Sequence, residues 1–105
     1  MCLGVIFHEE YGMKAIWQGE VIAESNATTI IESNHYFPRH SIVDKYFSES
    51  EKSTHCPWKG DASYFSVTVN GEVNQDAAWY YPSPKDAAKE ITGMVAFWRG
   101  IEIIK

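Results

Sequence analysis

Cysteine is scarce: two in 105 residues, too few for the disulfide framework of a small secreted domain. A reducing, cytoplasmic setting is therefore expected. Glycine (7) and proline (4) are also few while 45% of residues are apolar, which excludes collagen, low-complexity linkers and disorder. Basic residues are outnumbered, 9 Lys and Arg against 14 Asp and Glu, for a formal charge of −5. With no basic excess, a nucleic-acid partner is not expected. Long hydrophobic runs are missing too. A membrane-spanning helix needs about 20 apolar residues, and the apolar patch at 3–7 runs into two glutamates. Without a basic leader that patch is no secretory signal either. The chain reads as soluble, with no membrane partner.

What is abundant is aromatic: four Trp, six Tyr and five Phe, 14% of the chain. The dominant period is two. Residues 13–17 and 20–25 are short β-rich runs separated by Gln18-Gly19, and 27–33 (ATTIIES) is rich in β-branched residues. In 62–69, Phe65, Val67 and Val69 fall on one face and Tyr64, Ser66 and Thr68 on the other, the alternation of a strand with one buried face. Asn70-Gly71 is a hairpin signal before 72–81. Pairing Val67 with Val73 requires an odd-length loop or a nearby bulge. Arg99-Gly100 joins 95–98 to 101–104 in the same way.

One short helix is signposted at 84–92, with Ser83 as cap, Pro84 at its first position and Gly93 as a left-handed stop. A weaker helical turn is expected within 41–47, and the polar stretch 48–53 (SESEKS) reads as a surface loop. The expected fold is therefore mainly β: a compact antiparallel domain of seven to nine strands, a sandwich or curled sheet. Residues 13–105 form its body and residues 1–12 an edge segment or a tail.

The chemistry concentrates in 53–65, STHCPWKGDASYF. A cation beside a thiol favours the thiolate, so Lys59 or His55 would activate Cys56. Against this stands Cys56 as a small buried hydrophobe and Lys59 as a solvated turn residue. His8, His35, His40, His55, Cys2 and Cys56 lack the paired close spacing of a structural metal site. No metal and no cofactor are expected. Lys59-Gly60 is not a P-loop, and neither G-x-G-x-x-G nor G-x-S-x-G occurs. Tyrosines and tryptophans in the two paired strands exceed what one buried face needs, so some line a concave, partly wet surface.

Trp17 to Ser25 (WQGEVIAES), Glu32, Tyr36-Phe37-Pro38, Thr54 to Tyr64 (THCPWKGDASY), Asp76 to Tyr81 (DAAWYY) and Val95-Ala96-Phe97 follow a familiar order. In it the chain resembles a small bacterial family, the domain of unknown function numbered four-twenty-seven, sometimes labelled nucleotidyltransferase-like. The resemblance implies a compact β-rich domain and no particular reaction. The paired aspartates and Gly-Ser turn of nucleotidyltransferases are not present. It carries over a pocket of Glu32, Tyr36, Cys56, Lys59, Tyr64, Trp79 and Tyr81.

Two readings follow. In the first, Cys56 and Lys59, the catalytic candidates, and Glu32, Tyr36, Tyr64, Trp79 and Tyr81, the ligand-binding candidates, receive a small anionic or planar ligand. In the second, the aromatic face is a noncatalytic module that docks a protein or a second copy of the chain as a homodimer.

Overall fold

The computed structural model describes residues 6–9 and 12–105, the first four as backbone only. Cys2 and most of the segment 1–12 lie outside the described residues. Ten strands occur in them: β1 (Ile6–Glu9), β2 (Met13–Trp17), β3 (Glu20–Ser25), β4 (Thr28–Ile31), β5 (Asn34–Tyr36), β6 (Phe47–Cys56), β7 (Gly60–Val69), β8 (Glu72–Tyr80), β9 (Val95–Phe97) and β10 (Glu102–Ile104). They form three antiparallel sheets in the orders β1-β4-β5, β10-β2-β3 and β6-β7-β8-β9. Two backbone hydrogen bonds between Phe37 and Val95, 2.7 and 2.8 Å, join the first sheet to the third. The Cα radius of gyration, 13.0 Å, is that of one domain of about 100 residues. The antiparallel, mainly β domain is as the alternation predicts.

The two faces of β7 explain the packing. Phe65, Val67 and Val69 enter a core shared with Ala15, Ile22 and Ala23 of the β10-β2-β3 sheet. Ala62 and Tyr64 enter a second cluster with Ile31, Tyr36, Tyr81 and Ile91. The third sheet is thus covered on both sides, which is why one apolar face could not absorb all its aromatics.

Several local expectations change. The stretch 48–53 is no loop but the middle of edge strand β6, pairing with β7 across a register shift between Glu49 and Ser53. An edge strand has few buried positions to fill, and charges there oppose pairing with other chains. The short helix is a 3₁₀ element, Asp86–Ile91, broken by non-helical angles at Ala88. Ser83 does not cap it, since the residue before it is Lys85 and no side chain makes the cap. Gly93 does adopt φ +70°, and its N–H bonds the Tyr81 carbonyl. The 41–47 turn is a 3₁₀ turn at Asp44–Tyr46.

The Asn70-Gly71 loop has two residues, setting Val69 opposite Glu72 and Val67 opposite Asn74. Val73 is accordingly 60% exposed rather than paired with Val67. The irregularity comes farther along, between Phe65 and Val67, where β8 takes extra residues and Asp76 adopts φ +54°. Arg99-Gly100 turns the chain between sheets, because β9 pairs with β8 and β10 with β2.

Candidate functional site

Lys59 organises the site. The segment Pro57-Trp58-Lys59 closes the β6–β7 hairpin, with Cys56 opposite Gly60. Gly60 has φ +112°, a backbone conformation that L side chains rarely adopt. The chain before the 3₁₀ element clamps this turn. Lys85 N–H donates to the Lys59 carbonyl (2.8 Å), and Lys85 Nζ to the Pro57 carbonyl (2.7 Å). The Lys59 side chain is turned inward and only 7% exposed. It is not the solvated turn residue of the alternative reading.

A buried ammonium needs a partner, and Lys59 Nζ donates to Glu32 Oε1. Glu32 arrives from the two-residue turn between β4 and β5, where Glu32 has φ +53° and Ser33 +67°. Such a turn normally takes Asn-Gly, so the backbone is strained where it presents the carboxylate. The ammonium also stands 5.5 Å from the centroid of the Tyr81 ring, and Tyr36 packs in the same cluster. Burial alone would lower the lysine pKa. The Glu32 hydrogen bond and carboxylate charge, with Tyr36 and Tyr81 once they ionise at high pH, outweigh it and hold Lys59 above its usual range. Burial raises both tyrosines, Tyr81 to about 12. At neutral pH the cluster therefore holds an ammonium and two neutral phenols.

Beside this cluster lies a cleft of about 180 Å³ lined by Lys59, Tyr64, Trp79, Tyr81 and Trp98. Its rings are held from behind. Trp79 Nε1 donates to Tyr36 Oη (3.0 Å), and the two rings meet edge-on at 6.2 Å. Tyr64 Oη shares a 2.9 Å hydrogen bond with Thr54 Oγ1. Trp98 meets Trp79 edge-on at 5.9 Å and donates from Nε1 to the Asp76 carbonyl (2.6 Å). Trp58 Nε1 is buried without a hydrogen-bond partner among the described residues. Its ring centroid lies 5.6 Å from Lys59 Nζ.

The structure thus brings Lys59, Tyr64, Trp79 and Tyr81 to one cleft and sets Glu32 and Tyr36 behind it. Cys56 is half-buried against the same cluster. It is not among the residues that line the cleft. His55 pairs with Asp61 (2.8 Å) at the surface. Trp98, 40% exposed at the cleft's rim, escaped the sequence reading. It lies two residues beyond Ala96, which the β8–β9 register sets opposite Trp79, so only that pairing reveals it. No three His, Cys, Asp or Glu side chains gather as a metal-ligand group among the described residues. No described helix is long and apolar enough to cross a membrane.

A family model described as domain of unknown function DUF427, with the short name NTP_transf_9, matches residues 6–104. No curated protein matches the chain.

Proposed function

The chain belongs to the DUF427 family, and because that description names no reaction, we propose a function from the site itself: binding of a planar ring compound in the Lys59 cleft. The observation that carries this reading is a nearly buried lysine at one side of a cleft whose other lining residues are all Tyr or Trp. Aromatic walls with a few placed polar groups are the usual make-up of a small-molecule site. The volume limits the occupant. Drug-sized ligands fill about 300–1,000 Å³, so about 180 Å³ takes one ring, with the remainder of the ligand outside.

Charge refines the choice between anionic and planar ligands. Lys59 already has Glu32 as its counter-ion, so an anionic group on the ring competes with that carboxylate for the ammonium. The ring supplies the binding and Lys59 adjusts it. A lysine held protonated above its usual pKa serves neither as nucleophile nor as base at neutral pH. This favours binding over lysine-based catalysis.

The experiment is a titration with benzamide and benzoate, read by tryptophan fluorescence and thermal shift. Both compounds should quench the signal and raise the melting temperature, because a ligand that binds the native state stabilises it by mass action. Glu32→Gln should strengthen benzoate relative to benzamide, and Lys59→Met should reverse that gain. If no ring compound changes either signal at millimolar concentration, the reading is wrong. A concentration-dependent dimer that protects Trp98 would then assign the aromatics to self-association.

A further inference from the structure

A second cavity lies next to the ring cleft, a polar groove of about 600 Å³. Its hydroxyls and amide come from Ser48, Ser50, Ser66, Thr68 and Gln75. Its charged groups are Glu49, Glu51 and Asp76 against Lys52.

Groove and cleft share one face of the third sheet. Along β7, Tyr64 belongs to the cleft and Ser66 and Thr68 to the groove, at alternate positions that point the same way. The register sets Tyr64 opposite Trp79, Thr68 opposite Val73 and Ser48 opposite Ser66, so neighbouring strands add to that face. Two residues join the cavities. Lys52 lines the groove while its ammonium stands 5.5 Å from the centroid of the Tyr64 ring. The carbonyl of Asp76, another groove residue, holds the Trp98 indole that walls the cleft.

The groove is made by irregularities on both sides of Ser66, the β6 shift after Glu49 and the β8 shift at Asp76. Ser50 Oγ donates to Asp76 Oδ1 and thereby ties the two strands. Ser66, only 6% exposed, accepts the Asp76 N–H at 3.1 Å. Its own O–H has no acceptor among the described residues. A hydroxyl both donates and accepts, so Ser66 has a hydrogen bond to give from the floor.

We propose that the cleft and the groove form one track for a ring joined to a polyhydroxyl unit, the chemistry of an aryl glycoside or a nucleoside. The inference rests on the ring-binding reading above. Hydroxyl, amide and carboxylate groups along the groove match the alternating donors and acceptors of a sugar. Tyr64 and Ser66 are two strand residues apart, about 7 Å, so ring and sugar are joined by a bond or a single bridging atom. Three carboxylates against one ammonium oppose a phosphate in the groove.

The test is calorimetric titration of the full chain with phenol against phenyl β-glucoside and with uracil against uridine. One glycoside or both should bind at least tenfold tighter than the bare ring. The pair that shows the gain tells an aryl glycoside from a nucleoside. Gln75→Ala and Ser48→Ala should remove the gain and leave the bare-ring Kd unchanged. Uridine 5′-phosphate should bind more weakly than uridine. Equal Kd values for ring and glycoside, with ring binding intact, overturn the track and leave the ring cleft standing. Phenethylamine binding tighter than phenyl glucoside gives the groove to a cation and also overturns it. No binding by any of these compounds overturns cleft and track together.

Discussion

Removing one oxygen from Tyr81 tests whether the Lys59 cluster is as dry as its geometry implies. Tyr81 is 5% exposed, and burial pushes its pKa from 10.0 to about 12. In the unfolded chain the phenol ionises near pH 10, whereas in the folded protein it stays neutral for about two more units. Above pH 10 the unfolded state therefore binds fewer protons, and folding stability falls as pH rises. The stability is fully present below pH 10 and is lost through the window from 10 to 12. At pH 11 the unfolded tyrosine is about nine-tenths ionised and the folded one about one-tenth, which is about 1.4 kcal/mol from this side chain alone. Tyr36 and Lys59, both raised, move stability in the same direction, since each also holds its proton longer when folded.

The assay is urea unfolding of wild type and Tyr81→Phe at pH 8 and pH 11. Whatever the lost hydroxyl contributes to stability while neutral is absent from the variant at both pH values, and that part cancels in the pH difference. The remainder is the prediction: between pH 8 and 11 the variant loses about 1.4 kcal/mol less than wild type. Equal losses in the two proteins would mean that Tyr81 is hydrated, and the account of the cluster would fail with it.

Other perturbations have equally definite outcomes. Lys59→Met strands the Glu32 carboxylate, but Glu32 is 34% exposed and rehydrates, so the cost stays at the lower end of about 1–3 kcal/mol. Adding Glu32→Gln should recover part of it, and a urea-unfolding cycle with no coupling would dismiss the pair. Cys56, half-buried against the cluster, should alkylate in the native state with a pH profile that moves upward in Lys59→Met. Modification only on unfolding would make Cys56 a packing residue. Gly93→Ala meets nothing within 4 Å of the new Cβ but keeps φ +70°, so thermal or urea unfolding should show a loss of about 1–2 kcal/mol from backbone strain alone.

The parts of this fold that are legible in the sequence are those written locally. The strand 62–69 alternates because its two faces meet two different clusters. Gln18-Gly19, Asn70-Gly71 and Arg99-Gly100 announce their turns, with both residues of each at positive φ. Strand β6 hides because the same polar residues that suit a loop also protect an edge. The signals at Ser83, Pro84 and Gly93 spell an α-helix, yet the segment also meets Tyr81 through a parallel bridge at Thr92 and buries Ala88 and Ile91. Within six residues those demands leave two 3₁₀ turns. For the site, residue types on β7 and β8 pointed to an aromatic surface. The partner of Lys59 lies 27 residues away in a different sheet, where no local pattern reaches. Trp98 was invisible for a related reason: only the β8–β9 pairing brings it beside Trp79.

Of the six non-glycine residues at positive φ among the described residues, three, Glu32, Ser33 and Asp76, lie beside the cleft rather than in a turn that ends in glycine, and that placement bears on what the cleft is for. Glu32 and Ser33 adopt positive φ to present a carboxylate to Lys59, and Asp76 adopts φ +54° where its carbonyl receives the Trp98 indole. A backbone outlier of this kind costs about 1–3 kcal/mol and persists where surrounding contacts demand it. Asp76→Gly separates a structural role from a positioning one. Glycine relieves the positive φ but removes the acceptor of the Ser50 hydroxyl, a gain and a loss of about 1 kcal/mol each. The melting temperature should therefore stay close to that of wild type. The looser bulge no longer fixes the carbonyl under Trp98, so benzamide should bind several-fold more weakly and Trp98 fluorescence should shift toward that of a hydrated indole. If affinity is unchanged while stability moves, the bulge serves the sheet alone, and the rim of the cleft owes nothing to it.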